Sequence, residues 1–253
     1  MYKYFIFSDV HGEYDVLIKE LKKAGYDQKN PSHKLISLGD NFDRGPKSFE
    51  IYRFLRNQNA YVVAGNHEKL FYEYLVGVSD GRFDTEHNGL RETLEAFSGR
   101  TLSKDEYDYL FGLRYWIMDR HPLLDNWLGT LPDGFKLDDH ILIHAGFQNK
   151  TLISPEDDER WYPHHYAKTP QFIEDYKNED GYIYVFGHWH AFRLYKQFWG
   201  REEELYHPFV YKNFIGLDAA TNLTYRVNIY TINSENEPIP FSQSQNLETI
   251  KKL

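Results

Sequence analysis

Apolar and polar positions along the chain fall into a recurring order of strand, polar loop and helix. Residues 2–8 run apolar and read as a strand, closed by Asp9-Val10-His11-Gly12. Residues 13–24 then carry Val16, Leu17, Leu21 and Ala24 at helical spacing, with Gly25 as a stop. Leu35 to Leu38 reads as a second strand, ending in Gly39-Asp40-Asn41-Phe42-Asp43-Arg44-Gly45. Pro46 stands where a helix can begin, and Phe49, Ile51, Tyr52 and Leu55 give it an apolar side. Ala60 to Ala64 reads as a third strand, ending in Gly65-Asn66-His67-Glu68, and a helix-like stretch from Leu70 to Leu75 follows. This rhythm predicts parallel βαβ units. In open α/β sheets ligands sit beyond the carboxyl ends of strands, which is where all three polar motifs fall.

Residues 77–133 lose the rhythm and hold helix-like pieces near 88–97 and 103–115, which read as an inserted helical lobe. Lys136 to Ile143 returns to strand character and ends in His144-Ala145-Gly146. Residues 154–180 are polar and read as a surface excursion. Tyr182 to Phe186 is another strand, ending in Gly187-His188-Trp189-His190. Short candidate strands at 192–198, 213–217 and 223–231 suggest an antiparallel second sheet. The domain expectation is one unit over 1–233, with the insertion at about 77–133, and a loose polar tail over 234–253.

Composition narrows the chemistry. A formal charge of -9 argues against a nucleic-acid polymer as partner, although a local cation or metal can reverse the field at a site. The absence of cysteine removes thiolate ligands, disulfides and a thiol nucleophile together. The opening residues are too short and too aromatic for a secretory signal, and no apolar run approaches membrane-spanning length. A soluble, cytoplasmic protein is the expectation, with no membrane partner.

Five strand ends carry metal-type donors: Asp9 with His11, Asp40, Asn66 with His67, His144, and His188 with His190. Each alone is an ordinary turn or a satisfied core histidine. Together they would require coincidences at five strand ends. Oxygen and imidazole donors without sulfur suit divalent ions such as manganese, iron or zinc. Asp40 is central in the order of motifs and is the natural shared carboxylate. Two ions about 3.5–4 Å apart can activate a water and clamp a phosphoryl group.

These motifs, with Asp43-Arg44 after Asp40 and Leu217-Asp218 late in the chain, resemble the calcineurin-like metallophosphoesterases, and most of all their bacterial and phage serine/threonine phosphoprotein phosphatase branch. The likeness runs over about residues 4–225. It implies an α/β (α+β layered) fold: a β-sandwich flanked by helices, with the helical lobe inserted and a two-metal centre at one edge. It assigns Asp9, His11 and Asp40 to a first ion, joined by His190, and Asp40, Asn66, His144 and His188 to a second. Manganese is the expected metal, with iron or zinc as alternatives. Arg44 would grip the substrate phosphate, and His67 would serve the leaving oxygen with Asp43 orienting it. A second phosphate-binding arginine is usual after His144, and Arg160 is the candidate. Ser8 and Ala145 depart from common glycines of that branch without removing a donor.

The implied activity is hydrolysis of a phosphomonoester, phosphoserine or phosphothreonine included, by a hydroxide activated between two metals. A dinucleoside polyphosphate such as diadenosine tetraphosphate is the alternative substrate, with aromatics in 107–127 and 161–199 available to stack a base. Those aromatics also suit plain lobe packing. A scaffold that keeps the fold without activity is the reading from another class. The partner expected is therefore a phosphorylated protein or a nucleotide.

Overall fold

The computed structural model describes residues 1–103, 109–148, 151–152, 173, 181–201, 205–242, 245 and 247–253. Two sheets lie face to face. The first is built from β1 (Tyr2–Phe7), β2 (His33–Ser37), β3 (Tyr61–Val62) and β11 (Tyr230–Ser234), in the order β11-β1-β2-β3. Its β1, β2 and β3 run parallel, as the βαβ rhythm requires, and β11 pairs antiparallel with β1. The crossovers are α1 (Tyr14–Lys23) and α2 (Ser48–Asn57). The second sheet takes β4 (Gly134–Leu137), β5 (His140–Ile143), β8 (Ile183–Phe186), β9 (Phe209–Tyr211), β10 (Phe214–Gly216) and β12 (Ile239–Phe241), in the order β12-β4-β5-β8-β10-β9. Here β5, β8 and β10 are mutually parallel. A separate two-strand ribbon pairs β6 (Phe147–Gln148) with β7 (Thr151–Leu152) antiparallel.

Alternation along the strands sets the layers. On β1, Tyr4 and Ile6 face the second sheet and pack with Phe135, Leu137, Leu142 and Val185. Phe5 and Phe7 point the other way, against Leu17 and Leu21 of α1 and Ile51, Phe54 and Leu55 of α2. The outer face of the second sheet is covered by α8 (Ala191–Trp199) and α10 (Leu247–Lys251) through Leu194, Tyr195, Leu247 and Ile250. The result is helix, sheet, sheet, helix, the layered α/β sandwich expected from the sequence.

Several elements differ from the sequence expectation. Residues 136–143 are two strands joined at Asp138 and Asp139, because the polar pair interrupts the apolar run and Asp138 turns at φ 53°. Residues 192–198 are helical: Ala191, Leu194, Tyr195 and Phe198 recur at i, i+3, i+4 and i+7 and bury one face. Residues 221–224 form a short helix, α9, and 230–234 join the first sheet. The supposed loose tail is docked, since β12 pairs with β4 and Leu247 and Ile250 are fully buried. No helix among the described residues is long and apolar enough to cross a membrane.

The region after α3 (Asn66–Val76) holds α4 (Arg82–His87), α5 (Leu90–Ser98), α6 (Leu110–Arg120) and α7 (Leu124–Gly129). Its core of Leu90, Leu94, Phe97, Leu113, Ile117 and Leu124 is continuous with Phe42 and Phe71. The lobe is thus packed on the loop that carries Asp40 and on the helix that carries His67.

Candidate metal and phosphate site

The carboxyl ends of β1, β2, β3, β5, β8 and β10 meet at one edge of the sandwich. Backbone bonds sew the loops together: Asp9 N–H donates to Gly39 O (3.0 Å), His11 N–H to Asp40 O (3.0 Å) and Gly12 N–H to Asn41 O (2.9 Å). The two sheets are tied at the same edge. His144 Nδ1–H donates to Leu38 O (2.7 Å), and His188 N–H donates to both Asp9 oxygens (3.1 and 3.0 Å). Gly39 and Gly187 permit this closeness. A Cβ on Gly39, at φ +95°, would stand 2.6 Å from Gly65 N, and one on Gly187 would overlap Ser8 Oγ and Asp9 Oδ2. Asp9, His11, Asp40, Asp43, Arg44 and His188 all have positive φ. Side chains rarely adopt that region, and such strain persists where the surroundings enforce it, typically at functional sites.

Asp40 is the hub. Its carboxylate lies 3.8 Å from His11 Nε2, 3.9 Å from His67 Nε2 and 3.4 Å from His144 Nε2. Among the described residues, two groups have ligand-type atoms all within 4.8 Å of one another: His11, Asp40 and His67, and Asp40, His144 and His188. Burial pushes the Asp40 carboxyl up, but the surrounding imidazoles of His144, His67, His11 and His188 outweigh it and hold the group ionised, well below the usual range. Burial pushes His188 down to about 3, with His144 adding to the fall, and lowers His11, with Arg44 adding to it. Both rings are therefore neutral at pH 7. Burial raises Asp9, with Asp218 and Asp40 adding to the rise.

The donor set fits divalent ions. His11 donates Nδ1–H to Phe42 O (2.9 Å) as His144 does to Leu38 O, so each turns the lone pair of Nε2 inward. Fixing the outer nitrogen in this way is what orients a ligating histidine. Asn66 faces His144 Nε2 at 3.0 Å and His188 Nδ1 at 3.1 Å. With its nitrogen inward the amide donates to both rings and to Asp40; with its oxygen inward it is one more acceptor around a common point, as a cation demands.

Beside this cluster, Asp43 Oδ2 accepts from His67 Nδ1–H at 2.7 Å, both side chains being buried. Burial lowers His67, but Asp40 and Asp43 outweigh it and raise its pKa above the ordinary value. Arg44 spans the gap, with Nη1 2.9 Å from His11 Nε2 and Nη2 3.2 Å from His67 Nε2. Of the predicted metal donors, His11 and Asp40 fall in the first group, together with His67, and Asp40, His144 and His188 in the second, with Asn66 against it; Asp9 stands outside both groups, its carboxylate accepting His188 N–H. His190 stands outside both groups, its Nε2 3.6 Å from Asp218 Oδ2 and its Nδ1 without a partner among the described residues. Arg160 lies outside the described residues.

Three contributors carry no role in the sequence reading, where Asp218 stands only as part of Leu217-Asp218. Glu68 was visible only as part of its motif. Its buried carboxylate accepts from the backbone of Asp40 (2.8 Å), Asn41 (2.8 Å) and Gly65 (3.0 Å) and from Asn41 Nδ2 (3.0 Å). It clamps the Asp40 loop to the start of α3. Glu68→Ala is expected to lower unfolding stability by about 3 kcal/mol or more, since each buried donor left unpaired costs about 1–3 kcal/mol. Urea denaturation measures this; a loss below about 1 kcal/mol would show that the clamp is dispensable. Asp218, buried at the end of β10, holds Ala220 N–H at 2.7 Å and faces His190. Thr93, in the lobe, bonds Asp43. No local pattern around Thr93 marks it, because its partner is 50 residues away.

A family model described as calcineurin-like phosphoesterase matches residues 2–213. The chain is similar to the asymmetrical bis(5'-nucleosyl)-tetraphosphatase PrpE of Halalkalibacterium halodurans, 30% identical over 159 residues, which are 59% of each protein. The chain thus spans a little over half the length of that curated relative. It is also similar to serine/threonine-protein phosphatase 2 of Escherichia coli, 39% identical over 69 residues, 27% of this chain and 31% of that protein. Among solved structures, a cold-active protein-tyrosine phosphatase of a psychrophilic Shewanella superposes with a TM-score of 0.52 at 16% identity, covering 92% of this chain and 76% of that one. That likeness speaks for the fold alone.

Proposed function

Since this chain belongs to the calcineurin-like phosphoesterase family, we propose that it hydrolyses phosphate monoesters, with phosphoserine or phosphothreonine as the substrate class. The observation that carries the reading is the Asp40-centred pair of donor groups with the Asp43–His67 pair set beside it. Asp9, His11 and Asp40 would hold one divalent ion, and Asp40, Asn66, His144 and His188 the other. When bound, the ions would act as Lewis acids on the phosphoryl oxygens and lower the pKa of an attacking water. The chain's own residues do the rest. Arg44 offers two guanidinium N–H groups to the non-bridging phosphate oxygens, a geometry suited to bidentate contact. His67 delivers a proton from Nε2 to the leaving oxygen. Its Nδ1–H stays on Asp43, which fixes the ring and stabilises the protonated form. Manganese is the metal we assign, and the cytoplasm the compartment.

The similarity to the PrpE protein supports a second reading, hydrolysis of a dinucleoside polyphosphate. Of the aromatics that could stack a base, Trp116 and Trp127 are half-buried against the lobe core, while Phe111 and Tyr115 are exposed. One preparation, loaded with manganese and assayed on a phosphoserine peptide, p-nitrophenyl phosphate and diadenosine tetraphosphate, tests both. Faster release of phosphate from the peptide is expected, with loss of turnover on chelation and recovery on adding manganese back. Preference for diadenosine tetraphosphate would install the second reading. Failure on all three substrates, with no metal retained, would leave a scaffold.

A further inference from the structure

The inserted lobe is wired into the catalytic pair through one hydroxyl. Thr93, on α5, is fully buried, as are Asp43 and Ser48. Thr93 Oγ1 donates to Asp43 Oδ1 at 2.7 Å and accepts Asp43 N–H at 2.7 Å. Because that hydroxyl proton is committed to the carboxylate, Ser48 Oγ must be the donor of the 3.0 Å bond to Thr93. The Thr93 oxygen then has its one proton given and both lone pairs used. Asp43 in turn has Oδ1 on Thr93 and Oδ2 on His67 Nδ1. A second bond from the same helix's approach supports the neighbour: Arg44 N–H donates to Gly89 O at 3.0 Å. Both bonds fall on two successive left-handed residues, Asp43 and Arg44, each at φ 67°. Neither would hold that conformation without outside support. A Cβ on Gly89 would overlap Arg44 N, so the contact also requires glycine there.

We propose that Thr93 is a positioning residue for catalysis: the lobe fixes, through this hydroxyl, the carboxylate rotamer that orients His67. The proposal rests on the hydrolytic reading above for its kinetic consequence, but not for its geometry. Loss of the hydroxyl frees Asp43 to rotate about its side-chain torsions and leaves its buried backbone N–H without this partner. The ring of His67 then loses a defined Nδ1 partner, while no metal donor is touched.

The test uses Thr93→Val, which keeps shape, Thr93→Ala, which removes bulk, and Thr93→Ser, which restores the hydroxyl. Each is made in the full chain and compared by thermal melting, so that whichever hydroxyl-free variant melts cooperatively carries the test. With p-nitrophenyl phosphate and manganese, kcat should fall about 10–100-fold, the range for partners that orient a functional group, with KM within about twofold. Thr93→Ser should recover most of it. Adding Thr93→Val to Asp43→Asn should cost nothing further, because a residue acting only through Asp43 has no effect once Asp43 is changed. In the zinc-loaded, 15N-histidine-labelled protein, the far-downfield His67 Nδ1–H proton signal should be present in the wild type and in Thr93→Ser, and lost or shifted upfield in the hydroxyl-free variant. An unmoved signal, an unchanged kcat, or equal losses in the serine and valine variants would overturn the proposal. A wild type inactive on phosphate esters would instead refute the hydrolytic reading, and the proton signal would still decide the role of Thr93.

Discussion

Asp40→Asn is expected to cut turnover of p-nitrophenyl phosphate with added manganese by at least ~10²-fold and to strip metal from the purified chain. The carboxylate is shared between the two donor groups, and both depend on its charge. Imidazoles on every side keep it ionised in spite of full burial. Asparagine preserves the volume and can still accept His67 N–H, which Asp40 Oδ1 now receives at 3.0 Å. The fold should therefore survive, and the loss should be one of charge. Elemental analysis against protein concentration, beside the rate, checks this. Wild-type metal content together with a wild-type rate would remove Asp40 from the centre of the site.

His67→Asn is expected to lower the same rate by at least ~10²-fold, the scale of general acid–base catalysis, while the metal content stays near the wild-type level. The two substitutions separate the roles the geometry offers, because His67 also lies close enough to His11 and Asp40 to share an ion with them. If His67 serves the leaving oxygen, the loss should shrink for esters whose alcohol leaves easily and grow for those with poor leaving groups. The comparison of p-nitrophenyl phosphate with a phosphoserine peptide measures that dependence. A loss independent of the leaving group, with metal gone, would make His67 a ligand instead.

The reach of the sequence differs from element to element. The three parallel strands with their crossover helices followed from period and punctuation, because each turn cluster sits within a few residues of the apolar run it ends. The donor residues were visible for the same reason: Asp9, Asp40, His144 and His188 each lie within three residues of a strand's end. Errors fell where two periods compete over a short span. Ala191, Leu194, Tyr195 and Phe198 form a helical stripe, yet the same stretch alternates well enough to pass for a strand. The Asp138–Asp139 reversal was hidden inside what looked like one continuous strand. The terminal segment looked loose because its few apolar residues, Phe241, Leu247 and Ile250, gain meaning only against the outer face of the second sheet.

Residue order was enough to set the layered fold and to place a charged or imidazole side chain at each strand end, since these depend on neighbours close along the chain. Only packing in three dimensions decided that the ends of both sheets share an edge, that Glu68 and Asp218 brace it, and that a lobe helix reaches Asp43. Those outcomes depend on pairs such as Asp43 with Thr93 and Asp9 with His188, 50 and 179 residues apart. Contacts at that separation arise from burial and from the demand that every buried polar group find a partner, and no local periodicity records them.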